Sequence, residues 1–484
     1  MKKILFRLLV VGSSMALAVA CSGDSDDGDN NNGGGGGGGD DCTNSLTVGV
    51  MYEETGAVLN EVEAIRMAAT DVNDSGALGE GNCLVIQEEL FGGSDTATQR
   101  FESAKSLISS GAIGLISQYS SSARAVIRAT NKTVGPSGDA NAEQEGTGEF
   151  IHCSGSSTST SVNLNENRPA ANDDGKPMAD DNDSLYRAVA DDLLQSKVVW
   201  EVLKDSTSGS DTVGILYDPN DSYSNDFRIA LENLAAEDSR NIALIAGGVS
   251  GEMTASDVTA VTEIYDDISP APQALVAIGL PLAAGKIITA LTAKFSGVLV
   301  VTDGMLSDDF FDGVDASFSD WLEDDDNKVV ATTPYYGGAD AVNSETWTTR
   351  LKATTGDPLI DASAFTPMHA DCLYQITLGL LQGNADGYGM TQKGVYEGIK
   401  KFKFPATQRS SRTAISPNAD GFAAARTAID SGDAVYLNGG SGPQIFDDRG
   451  DRHYILQAYG TLSIVKTTLG YDWSLDKLWE NLEP

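Results

Sequence analysis

Histidine and cysteine are scarce in this sequence. It contains three histidines, His152, His369 and His453, which lie far apart along the chain and are expected to be structural residues. No Cys-x-x-Cys pair occurs, so zinc is not expected. Neither His-Glu-x-x-His nor Gly-x-Ser-x-Gly occurs, which excludes the common zinc-protease and hydrolase motifs. We therefore expect no catalytic residue, no metal and no cofactor.

One segment comes close to a phosphate-binding loop. Residues 279–287 read GLPLAAGKI, with one residue more between the glycines than that loop allows. Ile287 follows Lys286, whereas the loop needs a Ser or Thr hydroxyl there to hold Mg²⁺. The segment therefore predicts no nucleotide site.

Basic residues are also few. The chain has 32 Lys and Arg against 70 Asp and Glu, a formal net charge of −38. This argues against nucleic acid as a partner, because phosphate backbones select for Lys and Arg. The surplus acid is typical of a solvated surface. With 484 residues and 41% hydrophobic side chains, the chain is too long for a typical single core and predicts two or three domains.

The N-terminus has an apolar stretch that is too short to span a membrane. Lys2, Lys3 and Arg7 accompany the start of this stretch, which covers residues 4–20 and ends in small residues. The pattern predicts an export signal over residues 1–20. Later in the chain no apolar run approaches the length of a membrane span, so none is expected.

The end of the signal, LAVAC, resembles a bacterial lipobox. In such signals the cysteine, here Cys21, becomes the first mature residue and carries a lipid anchor. The alternative is an ordinary signal peptide in which Cys21 has no role. Residues 21–44 would be the lipidated cysteine and a Gly- and Asp-rich linker, whose composition predicts disorder. Ser22, in place of Asp, resembles lipoproteins sent to an outer membrane, so we expect a periplasmic, membrane-anchored protein.

Four cysteines remain after Cys21: Cys42, Cys83, Cys153 and Cys372. Outside the cytosol an even number favours disulfides, and three pairings are possible. Cys42 and Cys83 each stand just before a predicted strand, and the starts of neighbouring parallel strands lie side by side. We therefore favour Cys42–Cys83, and we also expect Cys153–Cys372.

The mature chain alternates short apolar runs with amphipathic runs of helix length. Examples are LTVGVMY before VLNEVEAIRMAATDVNDSG, and TVGILYD before DFRIALENLAAE. Strands that are apolar on both faces and separated by helices predict parallel sheets covered on both sides. There are too many such units for one open sheet. The predicted fold is therefore α/β with two doubly wound lobes, and about four strands precede a break near residue 184.

Doubly wound sheets bind ligands beyond the carboxyl ends of their strands. In this sequence, two predicted strands are followed at that point by residues with hydroxyl side chains. Ser120, Ser121 and Ser122 follow the strand GAIGLIS and enter a helix, and a helix N-terminus with hydroxyls suits a carboxylate. The alternative is that one of them is only an N-cap. A second segment, SGSSTSTS, follows FIHC and centres on Thr158; by composition alone it is a flexible loop.

Two further strand ends carry groups that suit a cation. Tyr223 lies just before a predicted helix, in the segment after TVGILYD. Asp303 ends the strand GVLVVTD, where a carboxylate can pair with an ammonium. The alternative is that Asp303 only caps a helix or faces solvent.

Taken in chain order, these segments resemble the type I periplasmic binding proteins, the family of the leucine/isoleucine/valine-binding protein. The resemblance covers about residues 45–465. It rests on seven segments, LTVGVMYEETG, SLISSGAIGLISQYSSSARAV, CSGSSTSTS, LYRAVADDLLQSKVV, DPNDSYSNDFRIAL, VVTDGMLSDDF and GGSGPQIFDDRGDR.

The chain also departs from that family. Ser224 stands where the family usually has Gly, and His369 and Cys372 are unusual in their segment. The acidic segments 135–149 and 161–183 are insertions on either side of the threonine loop. They could narrow the mouth of a cleft or screen anionic ligands.

In amino-acid-binding members of the family, the serine and threonine loops bind the ligand carboxylate, while the tyrosine and the acid bind its ammonium. The resemblance therefore implies two groups of ligand-binding residues here. The carboxylate group is Ser120, Ser121, Ser122, Ser157 and Thr158. The ammonium group is Tyr223 and Asp303.

The resemblance also implies lobe boundaries. Three crossovers are expected, near residues 186–190, 330–336 and 441–446. The expected division is lobe one at 45–187 and 334–440, lobe two at 188–333 and 441–470, and a C-terminal tail at 471–484.

The function implied is that of a lipid-anchored, extracytoplasmic solute-binding protein. It would capture a small polar ligand, such as an amino acid, for an ABC-type permease, and it would not be an enzyme. The alternative is a tethered sensor that signals through hinge closure without transport. A Gly-rich linker of about 20 residues spans roughly 25 Å, which would hold the lobes near the anchoring membrane. If that is an outer membrane, the sensor alternative gains weight.

Overall fold

The computed structural model describes most of the mature chain. The described residues are 42–53, 56–91, 97–130, 149–163, 184–219, 221–247, 255–279, 281–306, 308–335, 344–356, 365–453, 458–466 and 471–479. All of them lie within one unit, Asp40–Pro484. The predicted export signal, Cys21, the linker as far as residue 41 and most of both acidic insertions lie outside the described residues.

The first sheet has five parallel strands, and we call this sheet and its covering helices lobe one. Its strands are β1 (Asn44–Glu53), β2 (Asn82–Phe91), β3 (Gly114–Ser117), β4 (His152–Ser154) and β5 (Leu185–Arg187), in the spatial order β2-β1-β3-β4-β5. Its first helices are α1 (Gly56–Asp74), α2 (Ala97–Ser109) and α3 (Ser120–Thr130). All residues of β3, β4 and β5 are buried, whereas the edge strand β2 leaves Val85 and Leu90 exposed.

The chain then builds a second parallel sheet, which we call, with its helices, lobe two. Its first strands are β6 (Thr212–Tyr217), β7 (Asn241–Ala246), β8 (Ala274–Ala277), β9 (Val298–Val301) and β10 (Lys328–Tyr335). Its helices are α4 (Asp192–Ser206), α5 (Ser222–Glu237), α6 (Ala255–Asp266), α7 (Pro281–Thr292), α8 (Asp308–Gly313) and α9 (Ala316–Leu322). Together the two sheets form the predicted two-lobed α/β fold.

After β10 the chain returns to lobe one. The elements there are α10 (Ser344–Thr355), α11 (Thr366–Ala385), α12 (Gln392–Ile399), β11 (Thr413–Ile415), α13 (Ala419–Asp430), β12 (Val435–Gly439) and β13 (Gly442–Gln444). The last three strands form a small sheet in the order β11-β12-β13. Helix α11 is buried along most of its length, because it packs between α1, α12 and the strands of lobe one.

The C-terminal segment completes lobe two with β14 (Ala458–Lys466) and β15 (Tyr471–Trp479). β14 pairs antiparallel with β10, and the sheet order is β15-β14-β10-β9-β8-β6-β7. The predicted C-terminal tail at 471–484 is therefore wrong for Tyr471–Trp479. Apolar side chains alternate along the start of this strand, and Trp473 packs with its ring centroid 5.8 Å from Phe310 and 5.4 Å from Phe311.

Two predicted crossovers lie elsewhere in the chain. β10 continues through Tyr335, which pairs with Ala458, so the boundary at 334 falls inside a strand of lobe two. Residues 441–446 do not cross between the sheets, because β13 turns back to pair with β12. Gly442, with φ of 99°, allows this tight return. The chain joins the sheet of lobe two only at β14.

Both expected disulfides are present. Cys42 is bonded to Cys83 beside the paired starts of β1 and β2, with Cα atoms 5.7 Å apart. Cys153 of β4 is bonded to Cys372 of α11, with Cα atoms 5.4 Å apart. Among the helices in the described ranges, none is both long and apolar enough to cross a membrane.

Candidate functional site

The hydroxyl loops that follow β3 and β4 are joined by hydrogen bonds. Ser120, the first residue of α3, accepts at Oγ from the backbone N–H of Ser159 (3.2 Å) and from Ser157 Oγ (3.4 Å). The Ser157 N–H donates to Ser154 Oγ at the end of β4 (3.1 Å). These bonds place the two predicted carboxylate-binding segments side by side at the carboxyl edge of the sheet.

The other predicted residues of this group lie in the same place. Thr158 is buried, and Ser121 is half-buried on the first turn of α3. Within the described part of the chain, Ser122 Oγ is buried without a hydrogen-bond partner. The group therefore combines hydroxyls with the N-terminus of an 11-residue helix, an arrangement that suits an anion.

The two predicted cation-binding residues of lobe two contact each other. Tyr223 lies in the first turn of α5, and its hydroxyl donates to Asp303 Oδ1 (2.5 Å). Asp303 begins a short 3₁₀ turn two residues after β9, and Oδ1 also accepts from the Gly304 N–H (3.0 Å). Its other oxygen, Oδ2, is buried and has no hydrogen-bond partner among the described residues.

Burial controls the charge of Asp303, which is 5% exposed. Desolvation raises the pKa of Asp303 to about 6, although the hydrogen bonds from Tyr223 and Gly304 oppose the rise. A nearby cation would lower this pKa and restore the ionised form. Asp303 is therefore suited to bind a positively charged group that enters the site.

A second buried acid, Asp192, connects the two groups. It is the first residue of α4, and its backbone N–H donates to the Thr158 carbonyl (2.8 Å). Burial and then the charge of Asp303 raise the pKa of Asp192 well above its usual range, against the effect of the Thr158 hydroxyl. Because the charge of Asp303 hinders the ionisation of Asp192, a cation close to Asp192 and Asp303 would favour the ionised form of both acids.

A third lobe-two residue close to Asp303 and Asp192 is Tyr459 of β14. It is fully buried, and its hydroxyl has no hydrogen-bond partner within the described ranges. Burial, followed by the charges of Asp303 and Asp192, raises the pKa of Tyr459 well above its usual range. Sequence reasoning missed Asp192 and Tyr459. Asp192 lies within the segment LYRAVADDLLQSKVV without a signal of its own, and Tyr459 lies in no motif.

A buried arginine links the hydroxyl loop to the hinge between the lobes. Arg187 ends β5 and donates from Nε to Asp451 Oδ1 (2.5 Å) and from a terminal nitrogen to the Ser159 carbonyl (2.9 Å). Burial would lower its pKa, but the adjacent Asp451 and Asp191 raise the pKa of Arg187 above its usual range. Arg187 therefore stays charged and fixes the loop relative to the crossover segment that carries Asp451.

A second buried anchor, this one within lobe one, is Asp371 on α11. Its carboxylate accepts hydrogen bonds from the backbone N–H groups of Gly440 (2.7 Å) and Ser441 (2.9 Å), and from the side chains of Ser441 (2.6 Å) and Gln444 (3.1 Å). These bonds hold the turn between β12 and β13. They explain why the Gly-Gly-Ser-Gly segment stays with lobe one instead of crossing.

Two of the three histidines, His152 and His369, are buried in lobe one. His152 Nε2 lies 2.8 Å from Ser117 Oγ, and burial lowers the pKa of His152 to about 3, so the ring is neutral. His369 Nδ1 lies 3.0 Å from the Phe365 carbonyl and 3.6 Å from Glu61. Gly155 allows His369 to pack against the threonine loop, because a Cβ at Gly155 would lie 2.7 Å from the ring. In the part of the chain that the structure describes, no cluster of His, Cys, Asp and Glu is placed to hold a metal ion.

The fold is similar to that of solved binding proteins. A leucine-binding protein of Thermotoga maritima is 15% identical, with a TM-score of 0.56, covering 90% of this chain and 99% of that one. A branched-chain amino acid transporter substrate-binding protein of Streptococcus pneumoniae, in complex with isoleucine, is 13% identical, with a TM-score of 0.57, covering 89% and 100%. A solute-binding protein of an ABC transporter from Rhodopseudomonas palustris, in complex with 3,4-dihydroxybenzoic acid, is 11% identical, with a TM-score of 0.57, covering 91% and 98%.

These likenesses show the fold, which is that of the type I periplasmic binding proteins. No protein-family model matches the sequence, and no curated protein matches it. Other similar solved structures include a periplasmic binding protein of Bordetella pertussis and an extracellular ligand-binding receptor of Rhodopseudomonas palustris.

Proposed function

We propose that this protein is an extracytoplasmic solute-binding protein that binds an α-amino acid between its two lobes. The observation that carries the proposal is the contact between the hydroxyl loop and the acid pair, made where the Asp192 N–H donates to the Thr158 carbonyl (2.8 Å). This contact supports the assignment of the hydroxyl loop and the acid pair to one site, with an anion-binding group in one lobe and a cation-binding group in the other. A zwitterion with both charges on neighbouring atoms matches that arrangement.

The ligand carboxylate is assigned to lobe one. Ser121 and Ser122 lie on the first turn of α3, where N–H groups and the helix dipole favour a negative charge. Ser120, Ser157 and Thr158 supply further hydroxyls in the same loop pair. Ser122 Oγ, which is buried without a partner in the described structure, is the hydroxyl that gains most from a ligand oxygen.

The ligand ammonium is assigned to lobe two. Asp303 Oδ2 lacks a partner among described residues, Tyr223 orients Oδ1, and Asp192 adds a second acidic charge nearby. An ammonium between these acids would replace their mutual repulsion with attraction. Because each lobe holds one end of the ligand, the full set of contacts forms only in the closed state, so ligand shifts the protein toward closure.

The ligands of two structural neighbours differ in whether they carry an ammonium group, which is the group assigned to lobe two. Isoleucine carries an ammonium, whereas 3,4-dihydroxybenzoic acid does not. The acids Asp192 and Asp303 favour a ligand of the first kind, because an aromatic acid would bring no cation to offset their buried charges.

We further propose that a lipid on Cys21 anchors the protein, and that the bound amino acid passes to an ABC-type permease. The export signal, the Gly- and Asp-rich linker and the transporter origin of the neighbours support this. The alternative is a tethered sensor that reports closure to another protein. Ser22 and the short linker favour it if the anchor lies in an outer membrane, since a permease of the inner membrane would be hard to reach.

A thermal-shift screen tests the binding proposal. The panel should contain amino acids, amides, short-chain acids and nucleosides, added to protein from which the signal and linker have been removed. At a concentration one hundred times its Kd, a binding amino acid is expected to raise the free energy of unfolding by about 2.7 kcal/mol. A response confined to solutes without an amino group would contradict the site assignment.

Binding is expected to depend on pH through Asp303. The pKa of Asp303 in the folded protein is about 6, above the ordinary value of 3.8. Protonation of Asp303 therefore stabilises the unliganded fold fully below about pH 4, and this stabilisation is lost as the pH rises through 6. An ammonium needs the ionised form. The Kd of an amino acid should therefore be about tenfold weaker at pH 5 than at pH 7, measured by titration calorimetry.

The control for this pH profile is Asp303→Asn, which cannot ionise. Its residual binding should lose the change between pH 5 and pH 7. A wild-type Kd that stays constant across this range would show that Asp303 does not exchange a proton for the ligand ammonium.

A further inference from the structure

A polar contact joins the two lobes one helical turn beyond Tyr223. Asp226 lies on α5, three residues after Tyr223 and therefore on the same face of the helix. Its carboxylate accepts a hydrogen bond from Ser159 Oγ, and Oδ2 lies 3.8 Å from a terminal nitrogen of Arg124. Asp226 belongs to lobe two, whereas Ser159 and Arg124 belong to lobe one.

The lobe-one partners are held by the site itself. Ser159 donates its backbone N–H to Ser120 Oγ (3.2 Å) and accepts at its carbonyl from Arg187 (2.9 Å). Arg124 lies on α3, one turn after the serines that begin that helix. The contact with Asp226 can therefore form only when the hydroxyl loop and α3 have the arrangement that also presents the carboxylate-binding hydroxyls.

The contact is buried, which limits its strength. Asp226 is 6% exposed and Arg124 is 2% exposed. Separating the lobes would return both charges to water, and the desolvation cost of a buried ion pair can cancel its Coulombic gain. The charge-assisted hydrogen bond from Ser159 is the part of the contact with a net gain. Such a contact stabilises the closed state only modestly. A ligand can therefore still shift the equilibrium between the open and closed states.

We propose that Asp226, with Ser159 and Arg124, forms an interlobe latch that sets how much of the ligand-free protein is closed. The latch is a positioning device and touches no ligand. The apparent Kd of a ligand equals its intrinsic Kd divided by the fraction of protein in the competent state. The latch therefore scales the affinity for every ligand by one factor, while the groups around Asp303 select the ligand. This use of the latch rests on the proposed binding function.

Asp226→Asn in the full chain tests the latch in two ways. In ligand-free protein, the distance between probes placed at residues 105 and 294 through an unnatural amino acid should move toward longer values. The Kd of every amino acid that the wild type binds should weaken by one common factor of about tenfold. Ser159→Ala removes the donor from the other lobe and should act in the same direction, which covers the case in which the Asp226 variant fails to fold.

A double-mutant cycle separates the latch from a merely structural role. Arg124→Gln combined with Asp226→Asn should weaken binding less than the product of the two single effects. Asp320→Asn, an exposed acid on α9 far along the chain from the latch, is the matched control and should leave both the distance and the Kd unchanged.

Two results would overturn the latch. One is a ligand-free distance distribution that is the same in the wild type and in both latch variants. The other is a loss of affinity for one ligand and not for others, which would mean that Asp226 contacts the ligand. If the wild type binds no amino acid, the proposed function fails, but the ligand-free distances still decide whether the latch exists.

Discussion

Asp303→Ala is expected to weaken amino-acid binding by about 30-fold or more, and to do so without unfolding the protein. Removing one partner of a buried, hydrogen-bonded charge pair costs about 2–5 kcal/mol. Asp303 is 5% exposed, and one of its oxygens, which has no partner among the described residues, is available for an ammonium. Titration calorimetry with an amino acid identified by thermal shift measures the loss.

Two companion variants show where that loss arises. Tyr223→Phe removes the hydroxyl that donates to Asp303 Oδ1 and should weaken binding less than removal of the acid itself. Asp320→Asn changes an exposed acid of the same lobe by one charge and should have no effect. An Asp303→Ala variant that binds with unchanged affinity would show that this carboxylate is only structural.

Removal of the Cys153–Cys372 disulfide is expected to cause the largest loss of stability. The bond closes a loop with a sequence separation of 219 residues, for which the loop-entropy relation gives about 5 kcal/mol. Both cysteines are fully buried and join β4 to α11 in the core of lobe one. The double variant Cys153→Ser with Cys372→Ser should therefore unfold at much lower denaturant concentration than the wild type.

The Cys42–Cys83 disulfide provides the internal comparison. It spans 41 residues, and the same relation gives about 4 kcal/mol. Its removal should cost less, because the loop is shorter and Cys42 is exposed, whereas Cys153 and Cys372 are both fully buried. A greater loss from the Cys42–Cys83 pair than from the Cys153–Cys372 pair would contradict the assignment of Cys153–Cys372 as the principal covalent support of lobe one.

The parallel core was predictable from the sequence because its strands are continuous apolar runs. LTVGVMY and GVLVVTD became β1 and β9, and the even number of cysteines with two strand starts side by side indicated Cys42–Cys83. The antiparallel addition of β15 was not predictable in the same way. Its residues alternate in polarity, and their partner, β14, is known only once the sheet of lobe two has been built.

The third crossover was predicted at the wrong place for a related reason. The resemblance implies a crossover near 441–446, but Asp371, about 70 residues earlier, accepts hydrogen bonds from the backbone of this segment and keeps it on lobe one. No local pattern reports a hydrogen bond across that separation. The turn is defined by tertiary structure and not by the glycines alone.

The candidate site also contains some residues whose positions follow from local sequence and others whose positions depend on tertiary structure. The positions of Ser120, Thr158, Tyr223 and Asp303 were predictable because each follows a strand, and strands of a parallel sheet end at one edge. Asp192 lies at the start of a crossover helix, Tyr459 lies on an antiparallel strand, and Asp226 lies within a helix. The proposed roles of these residues depend on how the two lobes meet, and the pattern of strands in the sequence carries no information about that.

The most direct test of the central claim is calorimetric titration with three matched compounds. These are an amino acid that stabilises the protein, the amine that lacks its carboxylate and the acid that lacks its amino group. If lobe one binds the carboxylate and lobe two binds the ammonium, the amino acid should bind at least about 30-fold more tightly than either analogue. Equal affinity for the amino acid and for the acid without an amino group would contradict the claim.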